Sequence, residues 1–336
     1  MSENKEETKA MFSKPARNAD ELLEKLKSRG LDFDESEEIF IKLKIRSIGY
    51  YRLSGYFGPL QNPKDTFKPN TKFGDILRLY EFDRKLKLLV FGLLENVEVE
   101  LRTRLTDVYS LGNDSFWYAN GDLFNHEIEQ FEVLECTLNE DKELVQQYKT
   151  ISRRRYDSLL SETLKSVERF RDTEYMNAFY NKYSVDSPIP SWMVMEGVSF
   201  GKLSRFYALL NASPEKTNIA NHFGAINKDY FISWLHGLVV LRNACAHHGR
   251  LWNRYLGKDV KMPTLSRKRF ITEREDADIR KFYGISSILL KIFTKINPDE
   301  GELFKKTFFN LVEEHDIDYK AMGFPEKWQE DEIWKG

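Results

Sequence analysis

The sequence predicts an all-α protein, and three observations support that prediction. Apolar residues recur at helical spacing through most of the chain, as in the leucines and valines between Leu77 and Val108. No segment shows the long Val, Ile and Thr-rich alternation that is typical of strands. The composition, with 41% hydrophobic, 14% aromatic and 31% charged residues, is that of a globular protein with a large core.

The helical pattern divides the chain into a tail, a small module, a main domain and a C-terminal part. A helix in the module begins near Asp20, a candidate N-cap, and ends before Gly30. The main domain carries a charged helical insertion at about 120–185. The predicted boundaries are 1–13 for a disordered tail, 14–71 for the N-terminal helical module and connector, 72–300 for the main helical domain, and 301–336 for a C-terminal helix and tail.

Two glycines and three tyrosines surround Arg52 between Ile48 and Phe57. The glycines interrupt any long helix here. One interpretation is an RNA contact through Tyr51 and Arg52, because aromatic rings stack on bases and guanidinium groups bind phosphates. The other is a buried loop in which the tyrosine hydroxyls and Arg52 satisfy one another. The pattern does not distinguish the two.

One or two long helices are predicted from Phe73 to about Tyr109. Glu98 and Arg102 lie four residues apart in this segment and can pair on one helix face. A solvated salt bridge is the simplest interpretation of such a pair. Glu196 stands among apolar residues further along and is predicted to be a buried carboxylate paired with an arginine. Glu98, Arg102 and Glu196 are expected to position the residues of a site rather than to contact its substrate.

Three consecutive arginines, Arg153, Arg154 and Arg155, follow Ser152 in the predicted insertion. They are candidate phosphate contacts, because several cations together displace the counterions condensed on a nucleic acid. A solvated helix face is the simpler interpretation of the same run.

The overall balance of charge and the cysteine content restrict the class of protein. The formal net charge is -2, so no global basic field indicates a nucleic-acid binder. Cys136 and Cys245 have no paired spacing, which argues against a disulfide framework or a zinc ribbon and favours a reducing compartment. The longest apolar run, Leu88 to Leu94, is too short to cross a bilayer. We therefore expect a cytoplasmic protein that does not contact membranes.

The stretch from Ser233 to Arg254 contains the side chains that are best suited to a functional site. It begins as an apolar helix pattern and ends in a polar cluster of Arg242, Asn243, His247, His248 and Arg250. Buried cations are costly, so a cluster of this kind at the end of a core helix faces a cleft or a partner.

Arg242 and His247 suit the cleavage of RNA without a metal. In that reaction the 2′-hydroxyl attacks its own phosphate, which requires a group that moves protons and a fixed cation that stabilises the phosphorane. An imidazole exchanges protons near neutral pH, and a guanidinium binds two phosphate oxygens and stays charged. Asn243 is the polar neighbour of the arginine.

The spacing of these residues limits how they can act. Positions five apart lie roughly 140° apart around a helix, so Arg242 and His247 do not share a face, whereas Asn243 and His247 do. Gly249 is predicted to end the helix just after His248. A histidine pair that makes only structural hydrogen bonds remains an alternative. A zinc site of His236, His247 and His248 is a poor one, because it lacks a carboxylate or cysteine ligand.

The segment Arg242-Asn243-Ala-Cys-Ala-His247 matches the Arg-x-x-x-x-His motif of HEPN ribonucleases. The wider chain resembles the Abi-like abortive-infection family, in its AbiD/AbiF group, over roughly residues 14–256. The motifs that support the resemblance are Ile48-Gly-Tyr-Tyr-Arg-Leu-Ser-Gly-Tyr56, Tyr80-Glu-Phe-Asp-Arg84, Glu98-x-x-x-Arg102, Pro190-x-Trp192, Glu196-x-x-Ser199-Phe-Gly and Leu241 to Arg254.

This resemblance implies a HEPN-like helical bundle and a metal-independent endoribonuclease that works as a homodimer and needs no cofactor. Two Arg/His motifs would meet in one composite cleft and leave 2′,3′-cyclic phosphate and 5′-hydroxyl ends. Association with a cognate non-coding RNA is also implied. Arg242, Asn243 and His247 match the catalytic positions, and His248 and Arg250 are expected to contact RNA. A non-catalytic RNA-binding protein and a purely structural helical protein remain alternatives.

Overall fold

The structure is a computed structural model, and it describes residues 13, 15–138, 144–184, 186–256, 260–263, 269–272 and 275–335. Within these ranges the side chains of residues 135, 137, 138, 144, 145 and 147 are not described. The described residues are mostly helical and include one sheet of two strands. The all-α class predicted from the sequence is therefore confirmed. The predicted tail, residues 1–13, lies outside the described residues except for Ser13.

The chain divides into two compact units, Met1–Arg84 and Lys85–Gly336, with the division inside one long helix. The helices and strands in chain order are α1 Ala19–Ser28, α2 Glu38–Ile48, α3 Tyr50–Ser54, α4 Phe73–Gly112, β1 Ile128–Leu138, β2 Leu144–Arg154, α5 Arg155–Glu168, α6 Glu174–Lys182, α7 Ser191–Val194, α8 Phe200–Leu209, α9 Pro214–His222, α10 Lys228–Ala246, α11 Phe282–Ile296 and α12 Pro298–Glu314.

In the first unit, α1 begins with a reciprocal cap. The side chain of Asn18 accepts a hydrogen bond from the backbone N–H of Glu21 at 2.9 Å, and the Glu21 carboxylate accepts one from the backbone N–H of Asn18 at 2.7 Å. The prediction of Asp20 as the N-cap was wrong by two residues, because only Asn18 has a glutamate three positions later. Asp20 instead pairs with Lys42 of α2 at 3.0 Å.

The segment between Ile48 and Phe57 combines elements of both predicted interpretations. Gly49 has a φ of 94° and separates α2 from α3, as its sequence position suggested. The hydroxyl of Tyr56 donates to the carboxylate of Asp83 at 2.7 Å, and both residues are buried. Tyr51 and Arg52 are exposed on α3, with Tyr51 at 92% of its full accessibility. Tyr56 therefore belongs to a buried hydrogen-bond network, whereas Tyr51 and Arg52 lie on the surface.

In the second unit, the charged helical insertion predicted at about 120–185 was wrong in its first half. Residues of β1 and β2 form an antiparallel hairpin, and helix returns only with α5 and α6. Across the hairpin, Glu129 lies opposite Arg153 and Phe131 lies opposite Ile151. Opposite charges and apolar pairs at facing positions stabilise a two-stranded ribbon.

The core of the second unit is built around α10, which packs against both α8 and α11. Phe206, Leu238 and Ile288 are fully buried there, one from each helix. Trp234 of α10 is also buried, and its indole N–H donates to the backbone oxygen of Lys261 at 2.9 Å. This packing fixes the position of α10, the helix that carries the predicted site.

The C-terminal residues pack into the same unit through aromatic side chains. Trp328 and Trp334 are buried, with ring centroids 5.2 Å apart, and both lie near Phe308 of α12. The indole N–H of Trp334 donates to the hydroxyl of Ser287 at 2.8 Å. The region predicted as a helix and tail is thus tied to α11.

Replacement of Gly284 is expected to destabilise this core. A Cβ at this position of α11 would collide with the backbone carbonyl of Ile279, which cannot move without shifting the chain. Gly284→Ala should lower the free energy of unfolding by about 3 kcal/mol, measured by urea denaturation. The matched variant Gly92→Ala in α4 has no atom within 4 Å of the added carbon. It should raise stability by about 1 kcal/mol, and equal effects of the two variants would contradict the prediction.

Candidate functional site

The helix α10 begins at a side-chain cap and is anchored by an apolar face. The side-chain oxygen of Asn227 accepts hydrogen bonds from the backbone N–H groups of Asp229 at 2.9 Å and Tyr230 at 3.1 Å. The buried residues extend from Phe231 to Cys245. Because that face is held in the core, the polar residues of the last two turns are directed away from it.

The end of α10 is closed by two backbone hydrogen bonds. The N–H of His248 donates to the oxygen of Cys245 at 3.1 Å, and the N–H of Gly249 donates to the oxygen of Ala244 at 2.7 Å. This is the Schellman arrangement, with His247 as the C-cap and His248 in the left-handed region at a φ of 56°. The prediction that Gly249 ends the helix after His248 was wrong. The helix ends at Ala246, and histidine, which tolerates the left-handed region better than most residues, takes the position usually filled by glycine.

The three predicted catalytic residues lie on two sides of α10. Arg242 is half-buried and lines a pocket against α4, whereas Asn243 and His247 are exposed. The backbone N–H of His247 donates to the backbone oxygen of Asn243 at 2.9 Å. In the part of the chain that the structure describes, the side chains of Asn243 and His247 make no hydrogen bond or ion pair. Both are therefore available to an incoming molecule.

The pocket that contains Arg242 has a volume of about 300 Å³ and is walled by α4. The Nε atom of Arg242 lies 3.5 Å from the Oε2 atom of Glu98, and the guanidinium carbon lies 6.0 Å from the ring centroid of Phe91. The Nε atom is buried, and the carboxylate is not aligned to accept a hydrogen bond from it. Glu98 thus offsets the positive charge of Arg242 without accepting a hydrogen bond from its Nε atom. The remaining lining residues are Glu95, Val99 and Arg102.

Glu98 is in turn held by Arg102. The Nη2 atom of Arg102 lies 3.5 Å from Oε1 of Glu98. Its Nε donates to the backbone oxygen of Met195 at 2.9 Å, and its Nη2 donates to that of Val198 at 3.2 Å. Arg102 therefore joins α4 to the turn before α8 and positions the carboxylate that faces Arg242. The predicted pairing of Glu98 with Arg102 is confirmed, but the pair is largely buried rather than solvated.

The prediction that Glu196 is a buried carboxylate paired with an arginine was wrong. Glu196 is exposed, and within the described residues its side chain makes no ion pair. It lies on a single turn of 3₁₀-helix, Met195–Gly197, in which Met195 is the buried residue. The contribution of this turn to the site comes from the backbone oxygen of Met195.

The three consecutive arginines have three different surroundings. Arg154 is half-buried, and its guanidinium donates to the backbone oxygens of Gly121, Phe124 and Asn125 at 3.1 to 3.4 Å. All three bonds come from its Nη2 atom, so this part of the guanidinium is engaged with the backbone, and the phosphate contact of Arg154 stays a prediction. Arg155 is exposed and pairs with Glu127 at 3.0 Å. Arg153 is exposed on β2 and makes no side-chain hydrogen bond or ion pair with the described residues.

The other predicted RNA contacts lie in different places. His248 is exposed and Arg250 half-buried, and both follow the end of α10 directly. Tyr51 and Arg52 belong to the first unit. Sequence reasoning missed Phe91 and Glu95, which line the Arg242 pocket. Their helical spacing with Glu98 and Arg102, in steps of three and four residues, is the signal that places all four on one face of α4.

The described ranges contain neither a metal-binding cluster nor a membrane-spanning helix. No group of three or more His, Cys, Asp or Glu side chains there is arranged to hold a metal ion. Among those residues, no helix is both long enough and apolar enough to span a bilayer.

Comparison with known proteins gives one match. A family model described as Abi-like protein matches residues 44–253, more than half of the chain, and the matched span contains both Arg242 and His247. Neither the curated proteins nor the solved structures contain a significant match to the chain. The span of the family match shows that the chain belongs to the Abi-like protein family.

Proposed function

We propose that this protein is a metal-independent endoribonuclease that acts in abortive infection, the defence role suggested by its family. In this proposal His247 transfers protons, Arg242 holds the scissile phosphate and Asn243 helps to orient it. The observation that carries the proposal is the end of α10. There an exposed histidine follows a half-buried arginine whose charge faces a pocket.

The reaction needs no group beyond these residues and the RNA. The 2′-hydroxyl oxygen attacks the adjacent phosphorus and loses its proton to a base. The bond between phosphorus and the 5′-oxygen breaks, and that oxygen takes up a proton. An imidazole can accept the first proton and return the second, and a guanidinium stabilises the charge that develops on the phosphorane. The products are a 2′,3′-cyclic phosphate and a 5′-hydroxyl.

A homodimer is part of the proposal, because Arg242 and His247 lie on different sides of α10. A second copy related by a two-fold axis would bring another Arg242 and another His247 to the same cleft. Exposed apolar side chains on α4 support such pairing. Leu88, Phe91 and Val99 are exposed at helical spacing beside the Arg242 pocket. An exposed apolar stripe of this kind is typical of an interaction surface.

Further RNA contacts are proposed outside the cleft. His248 and Arg250 follow the helix end and are expected to contact phosphates, and Arg154 is a weaker candidate, because its Nη2 atom already donates to backbone oxygens. Arg153, Tyr51 and Arg52 remain proposed contacts. Binding of a cognate non-coding RNA rests on the family resemblance alone.

The test of the proposed function is cleavage of RNA in a chelator. Purified protein should cut a labelled single-stranded RNA in EDTA and leave cyclic phosphate and 5′-hydroxyl ends, identified by mass spectrometry. The same oligonucleotide with 2′-O-methyl groups should resist cleavage, because the attacking hydroxyl is blocked.

The outcomes separate the alternatives. Cleavage that requires added metal, or that leaves 5′-phosphate ends, would contradict the mechanism. Binding of RNA without cleavage would indicate a non-catalytic RNA-binding protein. Neither binding nor cleavage would indicate a structural helical protein.

A further inference from the structure

A second pocket lies beside α10, on the face that leads to His247. It has a volume of about 530 Å³ and lies between α5, α8 and α10. It combines apolar residues with polar ones, and its charged side chains are two cations, Lys202 and Arg205, and one carboxylate, Glu162. The lining residues are Glu162, Ser199, Gly201, Lys202, Ser204, Arg205, His236, Val239 and Val240.

The position of this pocket on α10 connects it with the proposed cleft. His236 and His247 are eleven residues apart, which corresponds to almost the same angle around a helix and about 16 Å along its axis. Val240 and Asn243 lie on the same stripe between them. A chain bound at His247 that follows this face of α10 therefore reaches the pocket. Arg242, by contrast, faces the other pocket, against α4.

The cations on the rim retain donors for a ligand. The ammonium of Lys202 donates to the backbone oxygen of Glu162 at 2.8 Å and to the hydroxyl of Ser166, which leaves one of its three N–H groups. Arg205 donates to the carboxylate of Glu162 at 2.7 Å through one nitrogen. Burial lowers the pKa of Lys202, so a nearby anion would favour its charged form.

One buried group in the pocket lacks a partner. Ser204 is only 2% exposed and lines the cavity, and its hydroxyl has no hydrogen-bond partner among the described residues. A buried hydroxyl in a native structure is nearly always satisfied. The oxygen is itself buried, so a ligand in the cavity would meet it only if the wall of the pocket moved.

We infer that this pocket is a subsite for one nucleotide of the RNA substrate. The base would lie against Gly201 and Val239, and the phosphate would meet Lys202 and Arg205 at the rim, where Val240 is exposed. The volume lies within the range of small-ligand sites. This inference rests on the proposed ribonuclease function.

The test changes the charge of the pocket without breaking its hydrogen bonds. Val240 is partly exposed on the rim and has an apolar side chain, so Val240→Glu and Val240→Lys should both fold. Each is introduced into the full chain together with His247→Ala, so that the RNA stays intact. Binding of a fluorescent single-stranded RNA is then measured by anisotropy at several salt concentrations. Leu303→Glu, at an exposed leucine of α12, is the matched control.

We expect Val240→Glu to weaken binding roughly three- to tenfold and Val240→Lys to strengthen it, because the added charge lies near a phosphate. The slope of log K against log salt should steepen by about 0.7 in Val240→Lys, which corresponds to one more neutralised phosphate on a single strand. Leu303→Glu should change neither quantity. RNA labelled with 4-thiouridine should crosslink to residues 199–205 or 236–240.

Unchanged affinity and slope in both Val240 variants, when the wild-type protein cleaves RNA and the His247→Ala parent binds it, would overturn the subsite and leave the proposed function intact. Absence of RNA binding by the wild-type protein as well as by the His247→Ala parent would overturn both. Variant-dependent binding of a free mononucleotide, with RNA binding unaffected, would overturn the subsite as part of the RNA path.

Discussion

Mixing the Arg242→Ala and His247→Ala proteins is expected to restore RNA cleavage that neither variant performs alone. Each variant should lose about 10² to 10⁴-fold in rate, because each lacks either the phosphate-binding cation or the proton-transfer group. A mixed dimer keeps one arginine and one histidine, on different chains. Random exchange of subunits makes about half of the dimers mixed, so a substantial part of the wild-type rate should return.

The experiment needs proof that subunits have exchanged. Chains with two different affinity tags allow the mixed dimer to be isolated, and its mass confirms the composition. A tagged pair in which both chains carry His247→Ala is the matched control and should stay inactive. An isolated mixed dimer without activity would show that Arg242 and His247 must act from the same chain, which would contradict the composite cleft.

Removal of Arg102 from α4 is expected to destabilise the protein strongly. Its side chain is 16% exposed, and its donors reach Glu98 and the backbone oxygens of Met195 and Val198. Arg102→Ala leaves a carboxylate and two carbonyls without these partners. We expect a loss of about 3 to 5 kcal/mol in the free energy of unfolding, measured by urea denaturation.

The same helix offers a matched control for Arg102. Arg104 pairs with Glu100 at the same spacing, with Nε 3.2 Å from Oε1, but its side chain is 41% exposed. Arg104→Ala should cost less than about 1 kcal/mol, because exposed ion pairs contribute little. Similar losses in the two variants would contradict the structural role given to Arg102.

The sequence predicted α10 and its polar end well, because those features depend on local spacing. Apolar residues at helical positions from Phe231 to Leu241 determine which face is buried. The angle between Arg242 and His247 then follows from helix geometry alone. The closing turn was harder to predict, because a glycine two residues beyond the cap suggested the wrong end point. The left-handed residue is His248.

The hairpin shows where local spacing misleads. Phe131, Leu134 and Leu138 fall in steps of three and four residues, which is the spacing of a helix. What favours strands is the partner segment, since Glu129 meets Arg153 and Phe131 meets Ile151 across the ribbon. Pairing of this kind joins residues that are distant in sequence, so the spacing of residues within one segment does not predict it.

The surroundings of Arg154 and Glu196 were not predictable for a related reason. The Nη2 atom of Arg154 donates to backbone oxygens more than twenty residues away in sequence, which a run of charges does not reveal. Glu196 has apolar neighbours, but a turn with three residues per repeat directs it outward. In both cases the tertiary path of the chain decides the exposure.

The Schellman closure of α10 has a consequence for insertions and deletions. The backbone N–H groups of His248 and Gly249 donate to the oxygens of Cys245 and Ala244. The number of residues between the last helical turn and the cap is therefore fixed. One residue added or removed between Arg242 and His247 would rotate the histidine by about 100° relative to the arginine. The number of residues between Arg242 and His247 is therefore fixed by the hydrogen bonds that close the helix. Insertions and deletions, which surface turns usually accept, would not be tolerated there.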